Sequence, residues 1–114
     1  MIDWFCELLG SLGPVSARRM FGGWGLFHDG RMFALVAEDV LYLKVDEVSR
    51  EAFAAAGSAP FVYRSARGEA AMGYWRAPDD ALDDPESMLP WARLAWQAAE
   101  RQPRPRRRGK RSAP

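Results

Sequence analysis

Ile2, Phe5, Leu8, Leu9 and Leu12 recur at three- and four-residue intervals, so residues 2–12 are expected to form a helix with one apolar stripe. Asp3 suits the positive end of its dipole, and Gly13-Pro14 stops it. From Val15 the period changes. Residues 15–27, 31–37 and 40–45 read as three strands of an antiparallel meander, with turn chemistry at His28-Asp29-Gly30 and Glu38-Asp39. In the third strand a period of two puts Leu41, Leu43 and Val45 on a core face and Tyr42 with Lys44 on the other.

Asp46 then offers an N-cap, Val48, Ala52, Phe53 and Ala56 an apolar stripe, and Gly57 a C-terminal stop, which predicts a second helix over residues 47–56. Residues 60–64 and 69–76 read as a hairpin around Gly68. Asp84 before Pro85 starts a short turn. Because Pro90 removes a backbone donor, the main helix is expected over residues 90–101, with Trp91, Leu94, Ala95 and Ala98 as its stripe. The order α-β-β-β-α-β-β-α predicts an α+β fold, a two-layer sandwich of about five antiparallel strands with the helices on one face.

The chain has 114 residues, 48% of them apolar, including five tryptophans, which suits one domain with a real core. Its formal charge of +1 is divided unevenly. Seven of the 16 basic residues lie in residues 101–114, leaving nine against 15 acidic ones in the first 100, a net of −6. Residues 1–102 are therefore expected to form the domain. Residues 103–114, without an apolar anchor, are expected to be a disordered basic tail. Cys6 is the only cysteine, so no internal disulfide is expected; Asp3 and Glu7 stand where a secretory signal would carry positive charge, and no apolar run approaches the ~20 residues needed to span a bilayer. A cytoplasmic protein is expected.

A run of unevenly spaced landmarks says more. It comprises Arg19-Met20-Phe21-Gly22-Gly23 with Gly25, Asp29-Gly30-Arg31-Met32-Phe33, Leu41-Tyr42-Leu43-Lys44-Val45, Phe53, Pro60-Phe61-Val62-Tyr63, Tyr74, Pro78 and Trp91-Ala92-Arg93. Over about 80 residues, from Arg18 to Ala99, the chain resembles the amino-terminal domain of the TfoX family, also called Sxy. These are bacterial proteins linked to regulation of natural competence. The resemblance implies a two-layer fold akin to secretion chaperones and a regulatory role without enzymatic activity. Full-length regulators of the family carry a second, helical domain, so a stand-alone version of the first domain is expected here.

No catalytic motif, metal cage or cofactor loop emerges from the residues. Gly22, Gly23 and Gly25 behind Arg18 and Arg19 could cradle an anion, but phosphate loops open helices and here a strand follows, so a bulge or tight strand crossing is the better reading. His28 has no partner spacing to Cys6, Ser11 or Ser16 and reads as a solvated turn histidine; Cys6 reads as a small buried apolar residue. The acidic cluster of Asp79, Asp80, Asp83, Asp84 and Glu86 lacks the ligand alternation of a calcium loop and is explained by helix capping.

The candidate partner surface comprises Arg18, Arg19, Gly22, Gly23, Tyr42, Lys44, Tyr74 and Arg76, the last four being strand residues that oppose the core set. Arg104, Arg106, Arg107, Arg108, Lys110 and Arg111 form a candidate nucleic-acid tail whose binding would be weak, sequence-blind and salt-sensitive. The expected function is a small regulatory or adaptor domain that acts through an unidentified protein partner, with a homodimer through a strand edge or sheet face as one form of association. Two alternatives stand beside it. One is a ligand-binding protein or enzyme built on the segment from Arg18 to Gly25, and the other a chaperone-like module that binds a polypeptide across its sheet.

Overall fold

The computed structural model describes residues 2–20, 22–65 and 68–102, without the side chains of residues 63–72. Helix α1 (Ile2–Leu9) is followed by strands β1 (Ser16–Met20), β2 (Gly23–His28), β3 (Arg31–Ala37) and β4 (Val40–Lys44). Helix α2 (Arg50–Ala55), strands β5 (Pro60–Ser65) and β6 (Gly68–Arg76), a 3₁₀ turn (Asp79–Leu82) and helix α3 (Pro85–Arg101) complete it. The strands form one antiparallel sheet in the order β1-β2-β3-β4-β6-β5. The α+β architecture matches expectation, but the sheet has six strands rather than about five.

The extra strand comes from dividing the stretch expected as residues 15–27. Gly22 takes φ +75°, a left-handed conformation that costs a side chain and suits a turn, and the chain doubles back so that Met20 faces Gly23 and Arg18 faces Gly25. The two expected turns each have two central residues at positive φ, Asp29-Gly30 and Glu38-Asp39, which matches the right-handed twist of their strands. Between Leu26 and Phe27 the register with β3 slips by one residue. The bulge turns Phe33 inward, fully buried with its ring centroid 6.1 Å from that of Trp96.

The helices lie on one face of the sheet. Leu26, Ala34, Val36, Leu41 and Leu43 share a core with Leu8 and Leu9 of α1, Phe53 of α2 and Met88, Ala92, Ala95 and Ala99 of α3. The small alanines let α3 lie close to β3 and β4, while Trp91 and Leu94, expected on the central stripe, flank it half-buried. The alternation in β4 is as expected, with Leu41 and Leu43 buried and Tyr42 and Lys44 outward.

Three helix boundaries depart from expectation. Helix α1 ends at Leu9, not residue 12, because Gly10, Leu12 and Gly13 donate to carbonyls three residues back and tighten the chain into turns. Helix α2 begins at Arg50 after a turn in which Asp46 Oδ1 accepts from the backbone of Val48 and Ser49. Of its expected stripe only Phe53 is buried; Ala52 and Ala56 are exposed and Val48 is 72% exposed. Helix α3 runs unbroken through Pro90. The carbonyl that loses its donor there belongs to Glu86, and both residues lie on the exposed side, so the carbonyl is not buried without a partner.

The expected stops hold. Gly57 at φ +82° donates to Ala54 while Ser58 donates to Phe53, which closes α2 with paired reverse-turn bonds. The Asp84 carboxylate accepts from the Ser87 backbone at 2.7 Å and caps α3. At the other end Arg31 Nη1 donates to the carbonyl of Ala99 (2.9 Å), which also accepts from the Gln102 backbone, and to that of Gln102 (2.8 Å), placing a cation at the negative end of the helix.

Candidate functional site

Strand register decides which candidates share a surface. Arg18, Gly25, Leu35, Tyr42 and Arg76 are direct cross-strand partners in one row through β1, β2, β3, β4 and β6. In the adjoining part of the sheet Lys44 stands opposite Tyr74. This row lies on the face turned away from the helices. Leu35 and Tyr74, 4% and 6% exposed, are buried there outside the helix-covered core, beneath side chains of the sheet itself.

Those covering side chains are specific. A Cβ built on Gly25 would meet the Met20 sulfur at 2.9 Å and the Met32 sulfur at 3.1 Å, so two methionines fill the space the glycine leaves beside Leu35. The Tyr42 ring packs on Phe61 with centroids 4.7 Å apart. The Arg18 guanidinium sits 5.3 Å from the Phe27 ring centroid and the Lys44 ammonium 5.0 Å from that of Tyr74. Burial pushes the Tyr74 phenol up to about 12. Partial burial also holds the Lys44 ammonium below its ordinary range, against the opposing pull of Asp46.

Tyr74, expected as surface, thus lies beneath Lys44 and supports it. Arg19 departs from the group as well. Neighbouring strand residues point to opposite faces, so it leaves Arg18 and lies 5.3 Å from the ring centroid of Trp24 on the helix side. Gly22 makes the turn, and a Cβ on Gly23 would run into the Val36 carbonyl, so that glycine permits β2 to approach β3. An anion site from Arg18 to Gly25 required both arginines and Lys44 to converge on a cleft. They do not: the arginines part across the sheet and Lys44 stands on β4, three strands from β1.

A groove of about 660 Å³ lies elsewhere, between the end of α2 and the end of β6, lined by Ala56 to Ala59, Arg76 to Asp80 and Trp91. Its wall is held by Ser58 Oγ donating to the Arg76 carbonyl at 2.5 Å. Of the candidates only Arg76 borders it.

His28 is not a solvated turn residue. Its ring packs edge-on against Trp96 with centroids 4.6 Å apart, and Nδ1 donates to the Pro14 carbonyl at 2.7 Å. That contact fixes the protonated nitrogen and ties the segment after α1 to the sheet. Cys6 is half-buried beside the core, and burial followed by the nearby Asp3 charge raises its thiol above the ordinary value. Among the described residues no three His, Cys, Asp or Glu side chains gather as metal ligands would, and no helix is long and apolar enough to cross a membrane. The candidate nucleic-acid tail, Arg104 to Arg111, lies outside the described residues.

Leu35, Met20, Met32, Phe27 and Phe61 were absent from the expected surface. The hairpin turns at Asp29-Gly30 and Glu38-Asp39 carried the signal, because they set the register that places Leu35 beside Tyr42. Residues 7–99 match the family model described as the TfoX N-terminal domain. No curated protein matches the chain.

Proposed function

Because the chain belongs to the TfoX N-terminal domain family, we propose that it is a small non-enzymatic regulatory domain that acts by contacting another protein through the open face of its sheet. The row of Arg18, Leu35, Tyr42 and Arg76 carries this reading. It sets the half-buried Tyr42 and two methionines, above a covered Leu35, between the exposed Arg18 and Arg76, the composition of a contact surface. The glycine-rich segment is occupied with strand packing, which favours a binding role over catalysis. The family resemblance supports control of natural competence as the pathway.

A photo-crosslinking amino acid at Tyr42, compared in cells with one at the exposed Glu100 of α3, tests the reading. A discrete adduct specific to position 42, lost when Arg76 is changed to Glu, is expected. Identical adduct patterns from both positions would overturn it.

A further inference from the structure

We propose that the open sheet face docks an acidic amphipathic helix of a partner protein, laid across the strands from Arg18 to Arg76. This deepens the protein-contact reading and rests on it. At about 4.8 Å between strands, the four steps from β1 to β6 separate the two arginine positions by roughly 19 Å. A helix rising 1.5 Å per residue covers that in about 13 residues, so carboxylates near both ends of a short amphipathic helix reach both guanidinium groups. Between them the half-buried Tyr42 and the two methionines over Gly25 lie above the covered Leu35 and form the floor for apolar side chains. A helix is the element that ordinarily covers a sheet face.

Charge selects the occupant. Among the described residues, Arg18, Lys44 and Arg76 are the charged strand side chains of this face, and the carboxylate that acts on Lys44, Asp46, lies beyond the end of β4 and is engaged by Arg101. The first 100 residues carry a net −6, so these cations stand against the sign of the domain. A second copy of the chain would bring the same three cations against themselves. A nucleic acid carries a phosphate at every nucleotide and would extend beyond these three cations over the acidic body, whereas a short helix can place its carboxylates at the cations alone. An acidic helix is attracted by the face, and the Phe27 and Tyr74 rings hold two of the cations in place.

The test is a titration of the full chain, followed by amide NMR, with three probes: a helical peptide with a leucine stripe and glutamates about 13 residues apart, the same peptide with lysines for glutamates, and a single-stranded oligonucleotide. The glutamate peptide is expected to shift the amides of Leu35 and Tyr42 and to weaken as salt rises. Its affinity should fall at least tenfold in the double variant Arg18→Glu, Arg76→Glu, less in the Gln pair, and hold in Arg93→Glu on the exposed side of α3. The Gln pair keeps the test informative if the Glu pair folds poorly. Shifts confined to residues 104–111, equal binding of the lysine peptide, preference for the oligonucleotide, or no binding would each overturn the proposal. A cross-linked partner at Tyr42 that touches the face through a neutral or basic segment would overturn the acidic helix and leave the protein-contact reading standing.

Discussion

Arg101 grips Asp46 with two bonds, Nε to Oδ2 at 2.6 Å and Nη2 to Oδ1 at 2.9 Å, joining the last turn of α3 to the turn that begins α2. Beyond the helix signal, nothing in either local sequence announces the pair. It also gives the domain an acid-sensitive fastening, because the arginine bond is the main reason the Asp46 carboxyl falls to about 2 from an ordinary 3.8.

A group whose folded pKa is depressed contributes its full stability above the unfolded value and loses it as pH falls through the folded one. The Asp46 contribution should therefore disappear between about pH 4 and pH 2. Carboxyl NMR should place the Asp46 midpoint near 2 in the native chain. In Arg101→Ala it should climb toward 3.8, stopping short because Ser49 still donates to the carboxylate.

Tyr74 has the opposite sign of displacement, and its effect falls at high pH. Its phenol is neutral when buried, so the stabilisation is complete below pH 10 and is lost as pH rises through about 12. The rise from 10 to about 12 corresponds to a few kcal/mol, at about 1.4 kcal/mol for each tenfold change in proton affinity. Ultraviolet titration should show a late tyrosinate step that is missing in Tyr74→Phe, and that variant should lose less stability between pH 10 and pH 12.

Two adjacent glycines should respond differently to alanine. Gly22 has open space around a Cβ and only its φ of +75° to defend, so Gly22→Ala should cost about 1–2 kcal/mol. In Gly23→Ala the new methyl meets the Val36 carbonyl, and the strands must part or the site must strain, at about 3 kcal/mol. Urea denaturation of both variants checks the order.

The contrast between Leu43 and Val48 is sharper. Leu43 is fully buried, and truncation to alanine should cost about 2–5 kcal/mol. Val48→Ala should change stability by less than about 0.5 kcal/mol, since that side chain is 72% exposed. Thermal melts of the two variants distinguish a core position from a residue that merely falls on an apolar period.

Val48 also shows where reading a sequence succeeds and where it stops. The alternation of Leu41 to Val45 was legible because one strand has only two faces, and the register of its neighbours was implicit in two tight turns. A short helix has more sides than the core can use, and which side turns inward depends on α3, through the packing of Phe53 on Trp91. The bulge that buries Phe33, the Arg31 bonds to carbonyls 68 and 71 residues away, and the seat of His28 on Trp96 are settled by distant partners. At the candidate site, chemistry was legible residue by residue. The parting of Arg18 and Arg19 followed from strand period alone once the strand itself was delimited, while the gathering of Arg18, Leu35, Tyr42 and Arg76 needed the whole sheet order.

Helix α1 packs on α3, and its Phe5, Leu8 and Leu9 share their burial with Met88, Ala92, Ala95 and Ala99. The two helices at opposite ends of the described fold therefore close one side of the core together, and neither can be removed without baring the apolar side of the other.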